Sequence, residues 1–196
     1  MAAGVFLDRD GTLNIEVDYL RTPDDLRLID GAAASVRRLN NAGLVTCVIS
    51  NQSGVARGFL TEADLIPIHA KLRAELAHEG ATLDGIYYCP HHPTAGIAPY
   101  NVECDCRKPK PGMLIKASKE FNFDLQRSFV VGDSVVDMQA GNTVGATTIL
   151  VQTGYGKQSL LTCREQNIPI GHVAASIIEA TEFILDKRKG VRSHNE

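Results

Sequence analysis

Nowhere in its 196 residues does this chain carry an apolar run of the length needed to cross a bilayer. Asp8, Arg9 and Asp10 interrupt the N-terminal segment before a signal-peptide core can form. A strong excess of either charge is also missing: 20 Lys and Arg oppose 23 Asp and Glu, for a formal net charge of -3. That balance argues against a general nucleic-acid or anionic-membrane binder and leaves room only for local basic patches. Internal repeats, low-complexity tracts and interdomain linkers are absent as well. Cysteine is sparse and uneven, five residues with three packed between Cys89 and Cys106, a poor basis for a disulfide framework. These absences predict one domain over 1–188, a polar tail at 189–196 and a cytoplasmic location. They predict no nucleic-acid partner and no membrane partner. Nothing compels oligomerisation, so a monomer is expected.

What is present is an ordinary balance, 44% hydrophobic and 22% charged residues, enough for a substantial core. Short apolar runs alternate with helical periodicities. Val5-Phe6-Leu7, Leu44 to Ile49, Gly85 to Tyr88, Phe129-Val130-Val131 and Thr147 to Val151 read as strands buried on both faces. Between them, helices are expected over 31–41 with Asp30 as cap, from Thr61 to about Glu79, from Pro111 to about Phe121, over 135–143 and over 177–185. Thr61 and Asp64 have capping-box spacing, while Pro67 either starts that helix late or kinks it. His69 and His78 are expected on the surface. The alternation predicts an α/β domain with a mostly parallel sheet.

Three of the predicted strands end in polar residues. The first leaves Asp8 and Asp10 before Gly11, the second Ser50 and Asn51, the fourth Asp133 with Asp137 one helical turn on. In open parallel sheets, ligands sit beyond these carboxyl ends. Carboxylates gathered there repel one another unless protons or a cation intervene, and an all-oxygen site beside a phosphate suits Mg²⁺. Ser50 and the backbone after it suit phosphate oxygens, and Lys108 supplies positive charge for a transferring phosphoryl group. The aperiodic stretch from Asn14 to Leu28 is expected to lie over this end as a flap. Cys89, Cys104 and Cys106 with a histidine make a Cys₃His set suited to structural Zn²⁺. His91 mirrors the Cys-x-Cys spacing and is preferred to His92, although composition leaves both open. Such a clip would order the irregular loop 89–108 and position Arg107 and Lys108.

Asp8-Arg9-Asp10-Gly11-Thr12, Ser50-Asn51, Lys108 and Gly132-Asp133-Ser134-Val135-Val136-Asp137 resemble, in order, the four motifs of the haloacid dehalogenase (HAD) superfamily of phosphatases. The resemblance implies a HAD-type Rossmann-like three-layer sandwich with a minimal cap and a zinc-binding loop. It implies Asp8 as nucleophile, Asp10 as general acid and base, and Ser50 and Lys108 as phosphoryl stabilisers. Magnesium would rest on Asp8, the Asp10 carbonyl and Asp133, with Asp137 as an indirect ligand.

The stretches 51–58, 89–93 and 104–109 narrow the likeness to the heptose-bisphosphate phosphatases, with the histidinol-phosphate phosphatases as the nearest rival. That likeness implies a phosphosugar substrate, zinc on Cys89, His91, Cys104 and Cys106, and recognition of a second phosphate by Arg107. It places Glu16, Val17, Asp18, Tyr19, Ser50, Asn51, Gln52, Ser53 and Ser134 around the substrate. Ser134 stands where such enzymes often carry lysine.

Overall fold

The computed structural model describes residues 3–192. It contains six strands, β1 (Gly4–Leu7), β2 (Val45–Asn51), β3 (Gly85–Cys89), β4 (Phe129–Gly132), β5 (Thr147–Val151) and β6 (His172–Ala174). The helices are α1 (Ala32–Asn41), α2 (Ser53–Ala56), α3 (Glu62–His78), α4 (Gly112–Phe121), α5 (Val135–Thr143), α6 (Gly156–Glu165) and α7 (Ile177–Arg192). The strands form one sheet in the order β3-β2-β1-β4-β5-β6, and every pairing is parallel. The order reverses direction beside β1, so β1 and β4 flank the crevice where a ligand is expected.

Side-chain alternation along the strands sorts the core into two layers. Val5, Leu7, Val48, Val131, Ile149 and Val151 face one side, against apolar residues of α1, α3 and α7. Phe6, Cys47, Ile49 and Val130 face the other, against Met113, Leu114 and Ala117 of α4 and Ala140 of α5. Leu150 continues that second face against Met138 and Cys163. Helices on both faces make the three-layer sandwich, and they explain why the strands read as unbroken apolar runs.

Several boundaries depart from the expected ones. Gly31, not Asp30, caps α1: it takes a left-handed conformation (φ 77°) that leaves no role for a side-chain cap. Thr61 and Asp64 do form the capping box, and α3 runs unbroken through Pro67. Proline costs a helix about 3 kcal/mol in its interior, a cost here offset by burial of Leu65, Ile68, Leu72 and Leu76. His69 is half-buried rather than a surface residue, with its Nε2 enclosed and without a partner. The helix α6 and the three-residue strand β6 lie beyond any expected element. The last helix continues to Arg192 where a frayed tail was expected, and the rest of that expectation, 193–196, lies outside the described residues. Among the described residues no helix is long and apolar enough to cross a membrane.

Candidate active site

At the carboxyl ends of β1, β2 and β4 the chain encloses a cavity of about 160 Å³. Its walls include Asp8, Asp10, Ser50, Lys108 and Asp133. Asp8 is fixed by its backbone, whose N–H donates to the Val131 carbonyl at 2.9 Å and prolongs the β1–β4 ladder by one residue. Asp133 approaches from β4 through a space cleared by two glycines. A Cβ on Gly11 (φ 75°) or on Gly154 (φ 52°) would each come within 2.1 Å of Asp133 Oδ2. The Tyr155 N–H donates to that same oxygen at 2.8 Å, and the Thr153 hydroxyl donates to the Gly11 carbonyl at 2.6 Å. The turn after β5 therefore locks the first and fourth motifs together, a function absent from the sequence expectation.

Lys108 is the cationic centre. Its ammonium donates to Asp8 Oδ1 at 2.6 Å, to Asp137 Oδ1 at 2.6 Å and to the Ile49 carbonyl at 2.9 Å, in a site that leaves the side chain 3% exposed. Burial works against that charge, but Asp137 and Asp8 outweigh it and the ammonium is held charged well above its usual range. Asp137 spends its other oxygen on the Ser134 N–H (3.1 Å) and hydroxyl (2.5 Å), the capping box of α5. Asp137 thus holds both Lys108 and the helix start.

One ammonium does not neutralise this cluster. Burial pushes the Asp8 carboxyl up to about 8 against the pull of Lys108, with Asp137, Asp133 and Asp10 adding repulsion. Burial likewise lifts Asp133 to about 7. Ligand oxygens of Asp8, Asp133 and Asp137 lie within 4.8 Å of one another. A buried cluster of hard-oxygen donors short of positive charge fits a hard divalent cation such as Mg²⁺.

Asp10 stands in a different environment. Burial alone would raise it, but the Arg9 charge and the hydrogen bonds from Arg9, Asn14 and Gln52 outweigh that and hold the carboxyl below its usual value. Arg9 Nη2 reaches both oxygens, at 2.9 and 2.7 Å, and the guanidinium is 1% exposed. Gln52 continues the network, donating to Asp10 Oδ2 at 3.2 Å and to Ser50 Oγ at 2.7 Å. Arg9 was not among the expected site residues. An arginine that falls inside a buried strand-to-turn segment between two aspartates is the signal that could have found it.

The remaining candidates separate into three groups. Glu16, Asp18, Tyr19, Asn51, Gln52, Ser53 and Ser134 border the cavity. Val17 does not border it and lines a neighbouring hollow with Ile15 and Ile29. Arg107 also lies outside the cavity wall: it faces a separate pocket with Pro93 and Lys110 and donates to the His91 carbonyl at 3.0 Å. Asp18, in a left-handed conformation (φ 60°), accepts from the Tyr155 hydroxyl at 3.1 Å and ties the flap to the turn after β5.

A second cluster gathers Cys89, His91, Cys104 and Cys106. The Sγ atoms of Cys89 and Cys106 lie 3.5 and 3.3 Å from that of Cys104, and His91 Nδ1 lies 3.7 Å from Cys89 Sγ and 3.5 Å from Cys106 Sγ. Tetrahedral zinc with Zn–S of about 2.3 Å and Zn–N of about 2.0 Å separates its ligand atoms by roughly 3.5–3.8 Å. The donors fit that ion. His92 turns elsewhere, its Nδ1 accepting from the N–H groups of Thr94 and Ala95.

Comparison with known proteins agrees with this geometry. A family profile described as HAD-hydrolase-like matches residues 105–180. A D-glycero-beta-D-manno-heptose-1,7-bisphosphate 7-phosphatase from Pasteurella multocida (strain Pm70) is 47% identical over 155 residues, 79% of this chain and 84% of that protein. The protein of the same name from Escherichia coli (strain K12) is 43% identical over 151 residues, 76% of this chain and 79% of its own length. Among solved structures, the D,D-heptose 1,7-bisphosphate phosphatase from B. bronchiseptica, complexed with magnesium and phosphate, superposes with a TM-score of 0.84. It is 34% identical, with 95% of this chain and 99% of that chain covered.

Proposed function

The chain belongs to the D-glycero-D-manno-heptose-1,7-bisphosphate 7-phosphatase family of HAD-like phosphoric monoester hydrolases, and from that premise we propose that it removes the C7 phosphate of this sugar bisphosphate. The observation that carries the chemistry is the meeting in one cavity of Asp8, Ser50 and Asp133 from three strand ends with Lys108 from the loop before α4. The product serves the synthesis of nucleotide-activated heptose for lipopolysaccharide cores or surface glycans. The reaction takes place in the cytoplasm, where the free thiols around the zinc set stay reduced. The chain acts there as a monomer, with no nucleic acid or membrane as partner.

Asp8 attacks phosphorus through a carboxylate oxygen, the bond from phosphorus to the sugar oxygen breaks, and an aspartyl-phosphate forms. Asp10 gives the departing oxygen its proton. In the second step Asp10 takes a proton from water, which attacks phosphorus, frees inorganic phosphate and restores Asp8. Paired with Arg9, Asp10 is an ionised acceptor matched to that second step. The first step needs Asp10 protonated and turned from Arg9 towards the leaving oxygen. Lys108 and Ser50 stabilise charge on the transferring group. Asp8, the Asp10 carbonyl and Asp133 would hold magnesium, which would supply charge neutralisation and orient the phosphate. Cys89, His91, Cys104 and Cys106 would hold zinc, which would order the loop that delivers Arg107 and Lys108. Glu16, Asp18, Tyr19, Ser50, Gln52 and Ser53 contact the sugar, and Arg107 engages the distal phosphate as the substrate enters. In the family-typical lysine position, Ser134 removes one charge from the phosphate site and leaves the chemistry intact.

The test compares phosphate release from both anomers of heptose 1,7-bisphosphate and from histidinol phosphate at equal concentration, with the product phosphate located by phosphorus NMR. Loss of the C7 phosphate with faster turnover than histidinol phosphate is expected. A preference for histidinol phosphate, or loss of the C1 phosphate, would overturn the assignment.

A further inference from the structure

Asn51 ends β2 beside Cys89, its register partner on β3. Its amide closes a two-point clamp on the peptide backbone of Lys108: Nδ2 donates to the Lys108 carbonyl at 3.0 Å, and Oδ1 accepts from the Lys108 N–H at 3.0 Å. The pair reproduces, with a side chain, the exchange of donor and acceptor that two facing strand residues make. Its two partners also fix the amide's orientation, since reversing it would set donor against donor and acceptor against acceptor.

The clamp is needed because Lys108 belongs to no strand or helix. It follows the irregular loop that carries Cys104 and Cys106, and only a turn from Arg107 to Lys110 and a Gly112-to-Asp105 hydrogen bond brace its backbone locally. The ammonium nevertheless has to sit within 2.6 Å of Asp8 and of Asp137. Four side-chain torsions separate that ammonium from the backbone, so a drift of the peptide is carried to the reacting group. Asn51 is anchored in the rigid sheet next to Ser50 and supplies the missing reference point.

We propose that Asn51 is a positioning residue for Lys108, setting the cation against Asp8 and the transferring phosphoryl group, and is not a substrate contact. The proposal rests on the reading of Lys108 as phosphoryl stabiliser. Asn51 also borders the cavity, so a contact to the sugar through its second amide hydrogen is the alternative to be separated.

The experiment measures kcat and KM of the parent, Asn51→Ala, Asn51→Asp and Lys108→Met with heptose 1,7-bisphosphate and with p-nitrophenyl phosphate, which has no sugar. Both Asn51 changes are then repeated in the Lys108→Met background, and melting temperatures are recorded throughout. Displacement of a catalytic group by about 1 Å costs on the order of 100-fold in rate, so losses of about 10- to 100-fold in kcat are expected. The loss should be equal for both substrates, with KM little changed, and should vanish once Lys108 is already Met. Asn51→Asp, which keeps the acceptor but opposes the Lys108 carbonyl with a second oxygen, should be at least as slow as Asn51→Ala. A rise in KM confined to the sugar substrate would overturn the proposal. A full Asn51 effect persisting without Lys108 would overturn it too. Normal turnover by Lys108→Met would instead remove Lys108 from the mechanism, and is read independently of Asn51.

Discussion

Replacing Lys108 by Met should cost both stability and turnover, and a second substitution should separate the two. The ammonium is shared at 2.6 Å by Asp8 and Asp137, whose side chains are 11% and 0% exposed. Methionine matches the stem in length but leaves Asp137 buried with only the Ser134 cap as partner. Breaking a buried ion pair from one side costs about 3–5 kcal/mol, because the orphaned charge keeps its desolvation penalty. For a chain of this size each kcal/mol moves the melting temperature by about 2–4 °C, so a fall of roughly 6–20 °C is expected. Turnover should drop about 100- to 1,000-fold, the usual effect of removing one group that stabilises a developing oxyanion. The assay is urea unfolding in chelator beside steady-state phosphate release with magnesium. The stability loss should be smaller near about pH 5 than near about pH 8, because Asp8, already raised to about 8, carries a proton there. Adding Asp137→Asn to Lys108→Met should return most of the stability and none of the turnover. A single variant that melts with the parent, or a double variant that regains activity, would refute the reasoning.

Cys104→Ser should leave the protein with less than the one zinc per chain expected of the parent, measured by atomic emission. It should also lower kcat by loosening the chain before Lys108, and unchanged zinc content would remove Cys104 from the clip. Chelation of magnesium should abolish turnover, with recovery on adding the ion back; full activity without any divalent cation would contradict the oxygen site. Burial and the Arg9 charge lower the His69 imidazole to about 4 from 6.5, so the folded state binds fewer protons than the unfolded chain between those values. His69 therefore contributes stability that is present above about pH 6.5 and lost as pH falls towards about 4, about 3 kcal/mol in all. His69→Phe should flatten that part of the urea-midpoint profile, and an unchanged slope would count against it.

Much of the fold was legible because burial on both sheet faces leaves a plain trace. Val5-Phe6-Leu7 and Phe129-Val130-Val131 read as continuous apolar runs, and each ends in the carboxylate that the structure brings to the cavity. Short elements left too little trace. The strand β6 spans three residues, and α6 carries few apolar positions, with Gly156, Ser159 and Cys163 facing inward. Asp30 looked like a cap because side chains suggest one, whereas the turn into α1 is decided by a backbone angle that only Gly31 takes easily. At the site, residue types announced the oxygen and sulfur clusters. Partnerships were hidden: that Arg9 pairs with Asp10, that Asp137 holds Lys108, and that Asn51 grips a backbone across the cavity wall all depend on tertiary distances. Arg107 shows the converse, a residue singled out by family likeness whose guanidinium turns to the His91 carbonyl instead of the cavity.

The claim on which everything turns is covalent transfer of phosphate to Asp8. Mixing enzyme, magnesium and heptose bisphosphate, quenching in acid within the first turnover and sequencing the peptides by mass spectrometry tests it directly. The mechanism predicts one phosphoryl group on Asp8 of the parent, and a folded Asp8→Asn variant with neither adduct nor phosphate release. An adduct on any other residue, or continued turnover by Asp8→Asn, would contradict it.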